Sequence, residues 1–201
     1  MAAKSLIIVL NMTCKVLIRK FFFEPEVLSA STTLYFNKSP ITCYNTIADM
    51  SKYPEFVPWM QAVKLDTTGP TTKDCVIKIG YPPFNQSYLS KVTLDFPKKI
   101  VSLSNNNDVF EVMESIWEFS PDPTEIIKDS NLVPLTRCQS IYTVKFKFNS
   151  PLYQNFSSIV LNLILNETSK AFVKRVATFN NIKCSYDKTL NKVVQSEVDI
   201  R

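Results

Sequence analysis

Hydrophobic and polar positions alternate with period two along much of the middle of this chain, and with the longer helical period near its end. Residues 137–148, RCQSIYTVKFKF, put Tyr142, Val144, Phe146 and Phe148 on one face and Ile141, Thr143, Lys145 and Lys147 on the other. That predicts a strand packed on one side and wet on the other, as in an antiparallel sheet. Residues 87–96, SYLSKVTLDF, repeat the pattern with Tyr88, Val92, Leu94 and Phe96 together. Residues 74–81 and 100–103 read as further strands, and 109–119 as a long strand with apolar residues on both faces. Strict alternation there groups Val109, Met113, Trp117 and Phe119 with Glu111, and sets Phe110, Val112 and Ile116 opposite. A carboxylate turned into an apolar interior would be a candidate acid or base. Glu111 is expected near a strand end, within reach of water.

From residue 150 the period lengthens. Ser150 can cap a first turn, Pro151 suits the first helical position, and no glycine or proline follows. The pattern predicts one helix over 150–179, roughly 40 Å long. Leu161, Leu165, Phe172, Val176 and Phe179 form one stripe, with Thr168 between them. A second stripe, Leu152, Phe156, Ile159 and Leu163, covers only the first half and leads into Glu167, Lys170 and Lys174. That second stripe belongs to a deep core, or it faces a ligand cavity or a partner.

Ser39-Pro40 repeats the same start signal and predicts a helix over 40–50, with Cys43, Ile47 and Met50 at helical spacing. In the next block, KYPEFVPWM (52–60), Pro54 and Pro58 forbid a long helix. It reads as an aromatic-rich turn, either a satellite core cluster or a flap over a pocket. Residues 121–135 read as a surface hairpin loop, and the chain after 180 as a polar tail. Strand, helix, a run of hairpin strands and a long helix make an α+β layout, with a curved antiparallel sheet wrapped around the C-terminal helix. The mouth of such a sheet is a natural seat for an apolar ligand.

Composition narrows the chemistry. The chain has 201 residues, enough for one domain with a segment at each end. It has no histidine, which removes Ser-His and Cys-His nucleophiles and imidazole metal sites. Gly69 and Gly80 are its only glycines, which excludes a Gly-rich phosphate loop. Cys14, Cys43, Cys75, Cys138 and Cys184 are odd in number and scattered, so they read as free thiols and not as a disulfide framework or a zinc site. The net charge of +5 favours anionic surfaces, but no basic patch with interleaved aromatics marks a nucleic-acid partner.

Residues 1–31 are expected to be a mitochondrial targeting segment. They carry Lys4, Lys15, Arg19 and Lys20 and no acid before Glu24. The apolar run from 6 to 18 is too short for a membrane span, and Lys15 interrupts a secretory pattern. Residues 32–181 then form the domain and 182–201 the tail.

Four blocks, KYPEFVPWM, WEFSP (117–121), FKFNSPLY (146–153) and AFVKRV (171–176), closely resemble the mitochondrial coenzyme Q-binding proteins, within the START and polyketide cyclase-like group. Met60, where cysteine is common, and Asn149, where lysine or arginine is usual, depart from that pattern. The resemblance covers about 32–181 and implies a helix-grip fold and a non-catalytic lipid chaperone with no cofactor. Its ligand would be ubiquinone or a late polyprenyl-quinone precursor. Its place would be peripheral, on the matrix side of the inner membrane, beside the quinone biosynthetic complex, in support of respiration.

On this reading the polyprenyl tail lies between the inner sheet face (Tyr88, Val92, Leu94, Val144, Phe146, Phe148) and the helix stripe Phe156, Ile159, Val160 and Leu163. Tyr53, Phe56, Val57, Pro58 and Trp59 form the flap, with Trp117 nearby, and Lys170 and Lys174 meet acidic headgroups. Two other readings stand beside it. One is a cyclase-like enzyme with Glu111 as its carboxylate, and the other a ribosome-associated module.

Overall fold

The computed structural model describes residues 27–195, apart from 82–83, 106–107 and 128. The expected targeting segment therefore lies almost wholly outside the described residues. Seven antiparallel strands build the main sheet: β1 (Leu28–Phe36), β2 (Met60–Thr68), β3 (Thr72–Tyr81), β4 (Phe84–Asp95), β5 (Lys99–Asn105), β6 (Phe110–Pro121) and β8 (Cys138–Phe148). Their spatial order is β1-β8-β6-β5-β4-β3-β2. Every neighbour from β2 to β6 is also a neighbour in sequence, as hairpin connections require. β1 begins at Leu28, four residues before the boundary expected for the domain, and pairs with β8 from Leu28↔Phe146 onward.

The helix α1 (Pro40–Ala48) starts as its sequence predicts. Ser39 Oγ accepts from Thr42 N at 3.3 Å, and Pro40 occupies the first turn. A 3₁₀ segment, Met50–Glu55, follows directly and buries Tyr53. Residues 121–135, read as a surface loop, instead carry a short helix α2 (Pro123–Ile126) and strand β7 (Leu132–Leu135). Glu125 ties them down: its buried carboxylate accepts from Thr136 N at 3.0 Å and from Arg137 N at 3.1 Å.

The expected polar tail is also structured. β9 (Cys184–Asp187) and β10 (Lys192–Gln195) join β7 in a second sheet, order β10-β9-β7. Ile41, Leu135 and Cys184 form a small core beneath it, and Ser39 N donates to Asn181 Oδ1 at 2.8 Å. These strands are four residues each, too short for alternation to declare them.

The expected single long helix is broken. α3 (Pro151–Gln154) is one turn, Asn155 and Phe156 interrupt it, and α4 (Ser157–Leu163) passes through a π-helical stretch (Ile164–Thr168) into α5 (Ser169–Thr178). Ser150 makes no side-chain cap; its carbonyl accepts from Tyr153 N and Gln154 N at 3.1 Å. The first stripe packs as expected, with Leu161, Leu165, Phe172 and Val176 buried, while Phe179 turns outward after the last turn. Among the described residues no helix is long and apolar enough to cross a membrane.

Candidate functional site

The inner face of the sheet is built in cross-strand rows. Val92, Ser102, Ser115 and Val144 lie opposite one another on β4, β5, β6 and β8. The adjacent row is bulky: Leu94, Ile100, Trp117 and Tyr142. On the other side Met113 pairs with Phe146. A row of small side chains between two bulky ones leaves a hollow, because packed neighbours cannot collapse into it. The two serines in its middle line a cavity of about 120 Å³. That is close to the roughly 150 Å³ that takes a single benzene ring.

Met50, Tyr53 and Val57 wall one side, and Val160, Leu163, Ile164, Thr168 and Phe172 of the helical rod close the other. Half-exposed Trp59, Met60 and Ile79 face half-exposed Val160 and Leu163, and together they mark the rim. Aromatic edges lock the deep end. Trp117 stacks on Tyr142 with centroids 4.2 Å apart, and Phe172 meets Tyr53, Phe56 and Trp117 edge-on at 5.0 Å each.

The π stretch sets which residues reach this wall. In an ideal α-helix Val160 and Phe172, twelve positions apart, would point about 120° apart. A π turn absorbs about one residue, which brings them within roughly 20° of each other. Both therefore line the cavity.

The cavity wall is mostly apolar, and its polar side-chain groups are hydroxyls and the indole N–H groups of Trp59 and Trp117. Ser102, Ser115, Thr168 and the ring residues Tyr53, Tyr88 and Tyr142 line it, with no carboxylate, amine or thiol among the described lining. Tyr53 donates to Ile47 O at 2.5 Å. Burial pushes the Tyr142 phenol up to about 12, although its hydrogen bonds with Ser115 and Thr168 pull the other way. Burial also raises Tyr53 and Tyr88.

A phenol raised above its unfolded value of 10.0 stabilises the fold fully below that pH and loses the contribution as pH climbs through the folded value. The share of phenolate absorbance that belongs to Tyr53, Tyr88 and Tyr142 is therefore expected to lag in the folded protein and to rise together with loss of structure as pH passes from 10 toward about 12. Complete titration of all eight tyrosines near pH 10 with the fold intact, by circular dichroism, contradicts this burial.

Of the residues expected at the ligand, Tyr53, Val57, Trp59, Tyr88, Trp117, Phe148, Val160 and Leu163 line the cavity. The others do not. Val92, Val144 and Phe146 are sealed in packed core, and Leu94 sits half-buried beyond the lining. Phe56 packs against Tyr53, Phe172 and Arg175, and Pro58 is exposed. Phe156 and Ile159 turn out to solvent, because the break at Asn155 and Phe156 lets α4 bury Ser157 and Leu161 instead. Lys170 and Lys174 are exposed on α5, along a groove shared with Thr32 and Leu34 of β1.

Glu111 faces outward and pairs with Lys147 at 2.7 Å. A register shift between Phe110 and Val112 makes this happen: Phe110 turns into the cavity beside Phe148, against strict alternation. The described cysteines are buried free thiols. A hydrogen bond with Cys138, and burial, push the Cys43 thiol up, and burial takes Cys75 to about 11. Both stay protonated, which makes them poor nucleophiles at neutral pH.

A curved antiparallel sheet closed by a helical rod over an apolar, ring-sized cavity is a START-like fold. Solved structures agree on the fold. TTHA0849 from Thermus thermophilus superposes with a TM-score of 0.61 at 13% identity, covering 75% of this chain and 97% of that one. A START superfamily protein from Mycobacterium smegmatis gives 0.59 at 13% identity (76% and 99%). The Zhui aromatase/cyclase from Streptomyces sp. R1128 gives 0.59 at 12% (75% and 92%).

Residues 37–173 match the family described as polyketide cyclase / dehydrase and lipid transport, and the chain belongs to that family. Among curated relatives, the mitochondrial coenzyme Q-binding protein COQ10 of Drosophila melanogaster is 29% identical over 133 residues, covering 66% of this chain and 52% of that protein. The protein of the same name from Saccharomyces cerevisiae is 23% identical over 145 residues (69% and 66%). The match spans about half the length of the fly protein. These relatives are named as binding proteins.

Proposed function

We propose that this chain binds ubiquinone or a late polyprenyl-quinone precursor, without turning it over. It acts as a peripheral lipid chaperone on the matrix side of the inner mitochondrial membrane, in support of respiration and of the complex that makes the quinone. The observation that carries this reading is the cavity: ring-sized, mostly apolar, and polar only through uncharged hydroxyl and indole N–H groups. A quinone ring is flat and apolar, with oxygens that only accept hydrogen bonds. Ser102, Ser115, Thr168 and Tyr142 are donors suited to them. The names of the relatives support the same ligand class and compartment.

The volume supports the ring, and not the tail, as the buried part. An extended polyprenyl chain needs far more than 120 Å³. The tail then leaves past Val160 and Leu163 toward lipid. Each methylene gains about 0.8 kcal/mol on leaving water for either hydrocarbon or protein. A tail left in the bilayer therefore costs nothing on loading or unloading, and only the ring changes phase.

Mass spectrometry of the organic extract of purified protein is expected to find a polyprenyl quinone. The chain's two tryptophans, Trp59 and Trp117, both line the cavity, so a short-tail quinone is expected to quench intrinsic fluorescence saturably. An empty extract together with no saturable quenching sinks the proposal.

A further inference from the structure

We infer that the outward face of α3 and α4 inserts into a lipid bilayer, so that the cavity opens onto hydrocarbon and not onto water. The inference deepens the quinone-carrier reading and rests on it for its purpose. Leu152, Phe156 and Ile159 are 74%, 47% and 67% exposed. Residues 148–166 contain no charged side chain, although Asn155, Ser158, Asn162 and Asn166 also face solvent. An exposed helix face ordinarily carries charges. A face that leaves water must not, since each charge taken into hydrocarbon costs several kcal/mol.

Position and charge point to lipid as the occupant. Phe156 and Ile159 lie within a turn of Val160 and Leu163 on the cavity rim, so the exposed apolar surface adjoins the cavity wall. Cations begin where the apolar face ends. Lys170 is exposed and pairs with Glu167 at 2.7 Å, and exposed Lys174 has no acidic partner among the described residues. One helical rod thus presents an apolar half and then a basic half, the arrangement of an interfacial helix on an anionic membrane. A second copy of the chain is the poorer occupant, because three large side chains fall well short of the roughly 20 residues per side of a stable protein interface.

Hydrogen exchange of the full chain tests this with phosphatidylcholine vesicles, alone and mixed with phosphatidylglycerol. Amides of 151–163 are expected to gain protection on vesicles, more so with the anionic lipid. The Leu152→Glu/Ile159→Glu variant is expected to lose at least about tenfold in vesicle co-sedimentation. Because neither residue lines the cavity, it keeps the parent's quenching by a short-tail quinone. Leu152→Gln/Ile159→Gln repeats the measurement without new charge. Unchanged exchange over 151–163, or variants that sediment like the parent, overturn the inference. Protection that grows with protein concentration in the absence of vesicles overturns it too, in favour of a second copy. Failure of the parent to bind the short-tail quinone overturns the carrier reading alone, since the vesicle measurements contain no quinone.

Discussion

Ser115→Phe is expected to empty the protein of quinone while leaving its fold intact. Ser115 sits in the middle of the small-residue row, opposite Ser102 and Val144, and its side chain lines the cavity. A phenyl group there is about the size of the space it enters, so it takes the seat of the ring. Losing the burial of one ring corresponds to about tenfold to a hundredfold in affinity. Overpacking a filled core is destabilising, but filling an existing void is not, so the thermal midpoint should hold or rise. Fluorescence titration with a short-tail quinone and a melting curve read the two halves separately. Undiminished quinone binding in a folded Ser115→Phe protein means that the ligand lies elsewhere.

Phe172→Ala should have the largest effect on stability. Its ring is buried on α5 and meets Tyr53 and Phe56 from the 3₁₀ region and Trp117 from the sheet, each at 5.0 Å. It is the point at which rod, turn and sheet touch one another. Removing a buried phenylalanine costs about 3–5 kcal/mol, from lost transfer and from the void left behind. Against a typical net stability of about 5–15 kcal/mol, that is a large fraction. Urea unfolding should show the midpoint drop with little change in slope. A loss below about 1 kcal/mol would mean that the aromatic cluster is not a shared anchor.

Much of this fold is legible from local pattern. Alternation in 137–148 gives β8 nearly to the residue, and Ser39-Pro40 gives the start of α1. Features that depend on distant packing are not legible. No glycine or proline marks the break at Asn155 and Phe156 or the π stretch, so nothing local announces either. The register shift at Phe110 adds one residue to one strand and reverses the facing of its neighbours.

The site divides in the same way. Aromatic wall residues such as Tyr53, Tyr88 and Trp117 stand out in the sequence by size. Ser102 and Ser115, which create the space, look like ordinary solvent-facing positions until their cross-strand partners are known. Exposed Phe156 and Ile159 carried a real signal, an apolar stripe in excess of what one core contact needs, but that excess points away from the sheet.

The π stretch between α4 and α5 holds one residue more than ordinary winding needs to keep the two halves of the rod in phase. Deleting a single residue there would restore ordinary winding and leave Val160 and Phe172 about 20° apart, because eleven steps of about 100° fall close to three full turns. The same deletion within 169–171, with the π turn left in place, would swing one half of the rod by roughly a quarter turn relative to the other and take Val160 and Leu163 off the wall. The segment should therefore tolerate loss of one residue at the π turn far better than loss just beyond it.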